Sequence, residues 1–222
     1  MTPLPRNCSL NGIILEGICG TGKSTVLSAV LSDQRWLGRG HASSIVLSEH
    51  QTQRVLEPLE AEGALTADDS LGLLDELTCF LENADGRLRR TGWLERNRRN
   101  HLLPFILERF HLTHAYHYNH LDWDNLIDID ARLSKLNAKI VLLRLAEEDI
   151  ENRIIGDKDK NNWASYISRF GNTDAEIKSH FMRKQEKLLN IAEKSCLRSL
   201  IIDTSEFSVS ESLDKIFEFW KL

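Results

Sequence analysis

Gly12-Ile13-Ile14-Leu15-Glu16-Gly17-Ile18-Cys19-Gly20-Thr21-Gly22-Lys23-Ser24-Thr25-Val26-Leu27 lies near the start of a 222-residue chain and decides how the rest of it reads. Its first four residues are short, apolar and β-branched, as in a buried strand. From Ser24 to Leu31 the apolar residues Val26, Leu27, Val30 and Leu31 recur at helical spacing. Between strand and helix, residues 17–24 fit G-x-x-x-x-G-K-[ST] in full. Glycines at 17, 20 and 22 let the chain curl so that successive N–H groups of Gly17, Gly20, Thr21 and Gly22 point at a phosphate chain. The helix N-terminus behind them adds its positive end. In such a loop Lys23 bridges the β- and γ-phosphates and the Ser24 hydroxyl ligates magnesium, with Thr25 extending the motif. The expectation is a nucleoside triphosphate, ATP, bound with Mg2+.

Outward from this loop, 44–47 reads as a second strand covered on both faces. Residues 51–100 read as two or three helices, with Leu71, Leu74, Leu77 and Leu81 three to four residues apart, and no strand. A third strand is expected at 102–107, with Pro104 near its start because proline cannot donate to a ladder. Helices are expected at 109–119, 125–136 and 147–155, the clearest strand at 139–145, and a polar loop at 156–162. A long amphipathic helix at 174–194, a fifth strand at 200–203 and a closing helix at 210–222 capped by Ser210 complete the chain. Short buried strands alternating with helices imply an α/β fold, a parallel sheet with helices on both faces.

Hydrophobic residues make up 41% and charged residues 27%, and 28 basic against 33 acidic side chains leave a net charge of -5. That balance offers no clamp for nucleic acid. No apolar run approaches the roughly 20 residues of a membrane span, and the first residues lack the build of a secretory signal. Cys8, Cys19, Cys79 and Cys196 show no C-x-x-C spacing, which argues against a disulfide framework or a zinc knuckle. The composition predicts a soluble, cytoplasmic protein, one domain over 1–222, that acts on a small molecule.

A guanine-reading N-K-x-D motif is absent, and 142–146 ends without the paired acids of a motor ATPase. The third strand runs instead into Leu107-Glu108-Arg109-Phe110-His111-Leu112-Thr113-His114-Ala115-Tyr116-His117. A carboxylate and an arginine there stand where ligands bind in open α/β sheets. The stretch resembles the D-R-[YF]-x-x-S-x-x-A-Y-Q segment of thymidylate kinases and, equally, the E-R-S-x-x-S segment of deoxyribonucleoside kinases. Ile14-Leu15-Glu16-Gly17 with the following loop is similar to the opening of both families. Ser48-Glu49-His50 sits where one has R-E-P-G and the other E-P-V, and 201–207 resembles the strand and loop around adenine.

The resemblance implies a P-loop NTPase fold with a five-stranded parallel sheet of order 2-3-1-4-5. It also implies a lid at about 153–172, an acceptor-binding helical region at about 50–100, and phosphoryl transfer from ATP to a nucleoside or nucleoside monophosphate. Related kinases form dimers through helices beside the sheet, so a homodimer is a further expectation. In this scheme Glu108 holds magnesium or its water, and Arg109 contacts the acceptor or the moving phosphoryl group. Glu49 takes the proton from an acceptor hydroxyl. Arg153 is the phosphate-facing cation of the lid, with Lys158 and Lys160 behind it, because the loop has no arginine of its own. Phe80, with Trp93 and Tyr116 as rivals, stacks on a base. His111, His114, His117 and His120 rotate by about -60° per step on a helix and so fan out as lining or surface residues rather than converge on a metal.

The chain departs from the thymidylate kinase pattern at Ser48 and Ala84, where arginines are expected, with Arg54, Arg87, Arg89 and Arg90 nearby. His50 replaces the proline of the nucleoside kinases. Two alternatives remain: a kinase for a sugar or natural-product hydroxyl, and a catalytically silent nucleotide-binding switch.

Overall fold

The computed structural model describes residues 8–38, 44–92, 102–118, 120–156 and 163–222. Five strands, β1 Leu10–Glu16, β2 Ile45–Leu47, β3 Leu103–Glu108, β4 Ala138–Arg144 and β5 Arg198–Asp203, form one parallel sheet in the order β2-β3-β1-β4-β5. The helices are α1 Lys23–Ser32, α2 Gln34–Leu37, α3 Glu49–Thr52, α4 Glu57–Ala61, α5 Ala67–Thr91 and α6 His111–His117. They continue with α7 Ile127–Lys135, α8 Glu147–Ile150, α9 Trp163–Ile167, α10 Asp174–Lys194 and α11 Val209–Trp220.

Side chains alternate across a strand, so successive residues of β1 feed two different layers. Leu10 and Ile14 join Phe105, Leu107, Ile140 and Leu142 in a core beneath α5, α6, α7 and α10. Ile13 and Leu15 join Ile106, Val141 and Leu143 in a second core closed by α1 and α11, with Trp220 fully buried. Gly12 stands opposite Phe105. A Cβ there would lie 2.0 Å from the Phe105 ring, so the glycine makes room for that ring over the central strand.

Three expectations are corrected. β2 is half buried along its length and forms the sheet edge, because among the described residues it pairs with β3 alone. The last helix is capped by Ser208, whose side chain accepts from Glu211 N, and Ser210 lies inside it. The helix expected from 109 begins at His111, because Arg109 is left-handed (φ 54°) and breaks the turn between β3 and α6. Pro104 is the second residue of β3 and precedes the first β2–β3 pair at Ile45 and Phe105, which fits its lack of an N–H. Beyond Ile150 the α8 chain loosens into a π-helical turn over Glu151–Ile155. Among the described residues no helix is long and apolar enough to cross a membrane.

Candidate active site

The loop after β1 takes the predicted conformation. Gly17, Gly20 and Gly22 have φ of 149°, 78° and 82°, a region that L side chains rarely adopt. A Cβ on Gly17 would meet the Leu143 carbonyl at 2.6 Å, so this glycine also permits close approach to β4. Thr21 Oγ1 donates to Ile18 O (2.9 Å) and closes the loop on itself. Gly22 caps α1, which begins at Lys23.

Lys23 is 5% exposed and its Nζ donates to Ile18 O at 2.7 Å. Burial, with the charge of Arg109 adding to it, pushes its pKa from 10.5 down to about 7. The folded state therefore disfavours the ammonium that the unfolded chain carries, so the Lys23 contribution to stability is least favourable below pH 7 and improves as pH climbs from 7 towards 10.5. Lys23→Met is expected to raise the melting temperature of the nucleotide-free protein at about pH 6. That gain should fade as pH approaches about 10, read by thermal unfolding across pH. An unchanged or lower melting temperature in acid refutes it.

Ser24 Oγ donates to Glu108 Oε1 at 3.2 Å. The other oxygen of Glu108 accepts from Glu49 N (3.4 Å), and its carbonyl accepts from Thr52 Oγ1. The C-terminal end of β3 is thereby tied to both the loop and α3. Glu49 Oε2 lies 2.8 Å from Arg109 Nε, an ion pair without the alignment of a hydrogen bond, and Glu49 Oε1 lies 3.5 Å from Arg54 Nη1. Arg109 is 11% exposed in its side chain. Burial works against its charge, but Tyr116, Cys19 and Glu49 outweigh that cost and hold it firmly protonated. Its Nη1 reaches Tyr116 Oη at 3.4 Å and its Nη2 reaches Cys19 Sγ at 3.6 Å.

The left-handed turn that aims Arg109 is held by Glu16, which in the sequence stands out only through the resemblance of the segment around it. Its buried carboxylate accepts from Phe110 N (3.0 Å), Thr113 N (3.4 Å) and Thr113 Oγ1. Burial pushes its pKa above the usual carboxylate range against those bonds.

Gly17, Gly20, Thr21, Gly22, Lys23, Ser24, Thr25, Glu49, Glu108, Arg109 and Tyr116 thus share one end of the sheet. Among the described residues, Phe80 and the Arg153 side chain make no hydrogen bond, ion pair or ring contact with this group. Phe80 is 50% exposed. It lies about 120° round α5 from the buried ridge of Leu74, Thr78 and Leu81, at about 100° per residue. Arg153 donates to Thr204 O (2.7 Å) and Thr204 Oγ1 (3.2 Å) in the loop after β5. The Arg153 backbone and Ile154 approach the phosphate loop, where a Cβ on Gly20 would meet Ile154 Cγ1 at 2.9 Å and Arg153 O at 3.5 Å. Trp93, Lys158 and Lys160 lie outside the described residues.

The histidines correct another expectation. His111 and His114 are fully buried rather than lining or surface groups, the first on Asp130 (3.0 Å) and the second on Thr52 O (2.8 Å). Among the described residues no group of three or more His, Cys, Asp or Glu is arranged to hold a metal ion. For magnesium specifically, the Ser24 hydroxyl and Glu108 carboxylate are hard oxygen donors side by side, and they fit it.

The chain superposes on the YorR protein of Bacillus subtilis, crystallised in complex with phosphorylated GDP. The TM-score is 0.60 at 16% identity, over 95% of this chain and 96% of that one. The fold is the expected P-loop NTPase fold, a parallel sheet of order β2-β3-β1-β4-β5 with helices on both faces. A shikimate kinase from Bacteroides thetaiotaomicron (TM-score 0.48, 16% identity, 96% and 99% covered) and a sugar kinase from Janibacter (0.47, 10%, 96% and 95%) lie further off. No protein-family model and no curated protein sequence matches the chain. In open α/β sheets ligands bind where the strand order reverses, at the C-terminal ends of the strands, which is where Glu49, Glu108 and Arg109 meet.

Proposed function

We propose that this protein is an ATP- and magnesium-dependent kinase that moves the γ-phosphoryl group to a nucleoside or nucleoside monophosphate, in the manner of thymidylate and deoxyribonucleoside kinases. The observation that carries this reading is the convergence of Ser24, Glu108, Glu49 and Arg109 beside the glycine cradle. The YorR structure of like fold holds phosphorylated GDP, which supports a nucleotide in the cradle.

In this reading the loop N–H groups and Lys23 hold the triphosphate, and its negative charge offsets the burial that now depresses Lys23. Ser24 and Glu108 would hold magnesium, which when bound would supply positive charge against that of the phosphates. Glu49, paired with Arg109 and Arg54, accepts the proton of the acceptor hydroxyl as the new O–P bond forms and the bond to ADP breaks. Arg109 stabilises the moving phosphoryl group. The 153–172 segment acts as the lid and the 50–100 helices as the acceptor side of a single domain.

The test is ADP release from ATP and magnesium over a panel of nucleosides, nucleoside monophosphates and sugars, with Lys23→Ala as the blank. Stimulation that vanishes in the blank supports transfer. Stimulation by sugars alone moves the acceptor class, and a flat panel with ATP binding intact leaves a nucleotide-binding switch. Glu49→Gln then separates the acceptors. It is expected to lower kcat by about 100-fold at near-constant KM, the loss of a general base. An unchanged kcat instead assigns a phosphate acceptor, already a nucleophile.

A further inference from the structure

Lys184 lies on α10, one basic residue among several on an amphipathic helix, and nothing in its sequence context sets it apart. The fold does. Its ammonium stands 5.7 Å from the Tyr116 ring centroid and 5.9 Å from that of Phe170, within reach of both π-faces. It is half buried, and among the described residues no carboxylate lies within ion-pair distance of it. Burial pushes its pKa below that of an ordinary lysine, and Lys187 and Arg109 work in the same direction, while Cys19 and Glu60 oppose them. Tyr116 is the residue whose hydroxyl meets Arg109, so the two cations flank one aromatic side chain.

The surroundings are built rather than incidental. Tyr166 stacks on Trp163 (5.1 Å) and meets Phe170 edge-on (5.2 Å), and Trp163 is pinned by its Nε1 donating to Ile154 O (2.7 Å) in the chain that packs on the phosphate loop. His117 Nε2 lies 3.3 Å from Glu60 Oε1, with burial holding the imidazole at a pKa of about 3 and therefore neutral. An ammonium partly withdrawn from water without a carboxylate is costly unless a ligand supplies the counter-charge.

We propose that Lys184, across Tyr116 from Arg109, binds an anionic group of the phosphoryl acceptor, so that the acceptor carries a phosphate or a carboxylate and is not a neutral nucleoside. This rests on the acceptor lying against Arg109, as the kinase reading has it.

Binding, not turnover, tests it. Calorimetric titration of the whole protein would use three matched pairs: thymidine and dTMP, guanosine and GMP, and a ring polyol with its carboxylate. At least one anionic member is expected to bind more than about tenfold tighter than its neutral partner, the margin of one charge-assisted contact. The preference should vanish in Lys184→Met and return in part in Lys184→Arg, with thermal unfolding confirming both variants as folded. Preference for dTMP or GMP assigns phosphate, and preference for the polyol acid assigns carboxylate. Equal binding within every pair, a preference that survives Lys184→Met, or no binding by any anion overturns the inference. Because no transfer is measured, intact anion binding without ADP release would sink the kinase reading alone, and turnover of neutral nucleosides would sink this one alone.

Discussion

Arg109→Met is expected to lower the rate of phosphoryl transfer by about 1,000-fold, the effect of removing an arginine that stabilises charge on the transferring group. ATP affinity should change little, because the cradle is built from backbone N–H groups and Lys23. The reason lies in the geometry of one guanidinium. Its Nε faces Glu49, its Nη1 faces Tyr116 and its Nη2 faces Cys19, so a planar fork spans strand end, helix and phosphate loop at once. A lysine ammonium is a point charge and cannot make all three contacts, so Arg109→Lys should recover little of the loss. Glu49 would keep Arg54 as its partner, which limits the structural damage. Single-turnover measurement with saturating ATP separates the effects. A transfer rate within about tenfold of wild type would remove Arg109 from the reaction.

Asp130→Ala is expected to destabilise the fold by about 3 kcal/mol, the range for removing one partner from a buried charged network. Asp130 is buried on α7 and accepts from His111 Nε2 (3.0 Å), Ser195 Oγ (2.5 Å) and Cys196 N (2.8 Å). It ties the helix that carries Tyr116 to the turn between α10 and β5. Burial raises the pKa of this carboxyl, but the bonds from His111, Ser195 and Cys196 outweigh burial and leave it below the usual aspartate value. A depressed folded-state pKa gives stability that is present above the unfolded value and lost as pH falls through the folded one. The difference between wild type and Asp130→Ala should therefore narrow under acid, below about pH 4. Urea unfolding at about pH 7 and about pH 3 measures it, and an equal gap at both would place the effect in packing rather than charge.

Neither network is visible along the chain. Asp130 sits in an ordinary amphipathic stretch, and its partners come from 19 and 65 to 66 residues away. The phosphate loop, by contrast, is legible because its parts are contiguous: glycines, lysine and serine define one another's positions through a few backbone dihedrals. The same locality made 174–194 readable, since Thr173 and Glu176 form a capping box at its start. Locality failed at 210–222 by two residues, where Ser208, in a capping box with Glu211, takes the capping place expected of Ser210. It failed again at 44–47, because three apolar residues read alike at an edge and in the middle of a sheet.

By itself, then, the sequence determined a strand, a phosphate-binding loop and a helix, the α/β alternation, and the residue types at the end of the third strand. Each of these depends on neighbours in the chain, so local sterics and periodicity suffice. The tertiary structure alone decided that Glu49 pairs with Arg109, that Glu16 holds the turn beneath it, that Phe80 faces outward and Arg153 turns to Thr204, and that Lys184 stands over Tyr116. Those placements depend on which strand ends lie side by side, and strand order is settled by burying both faces of the sheet at once.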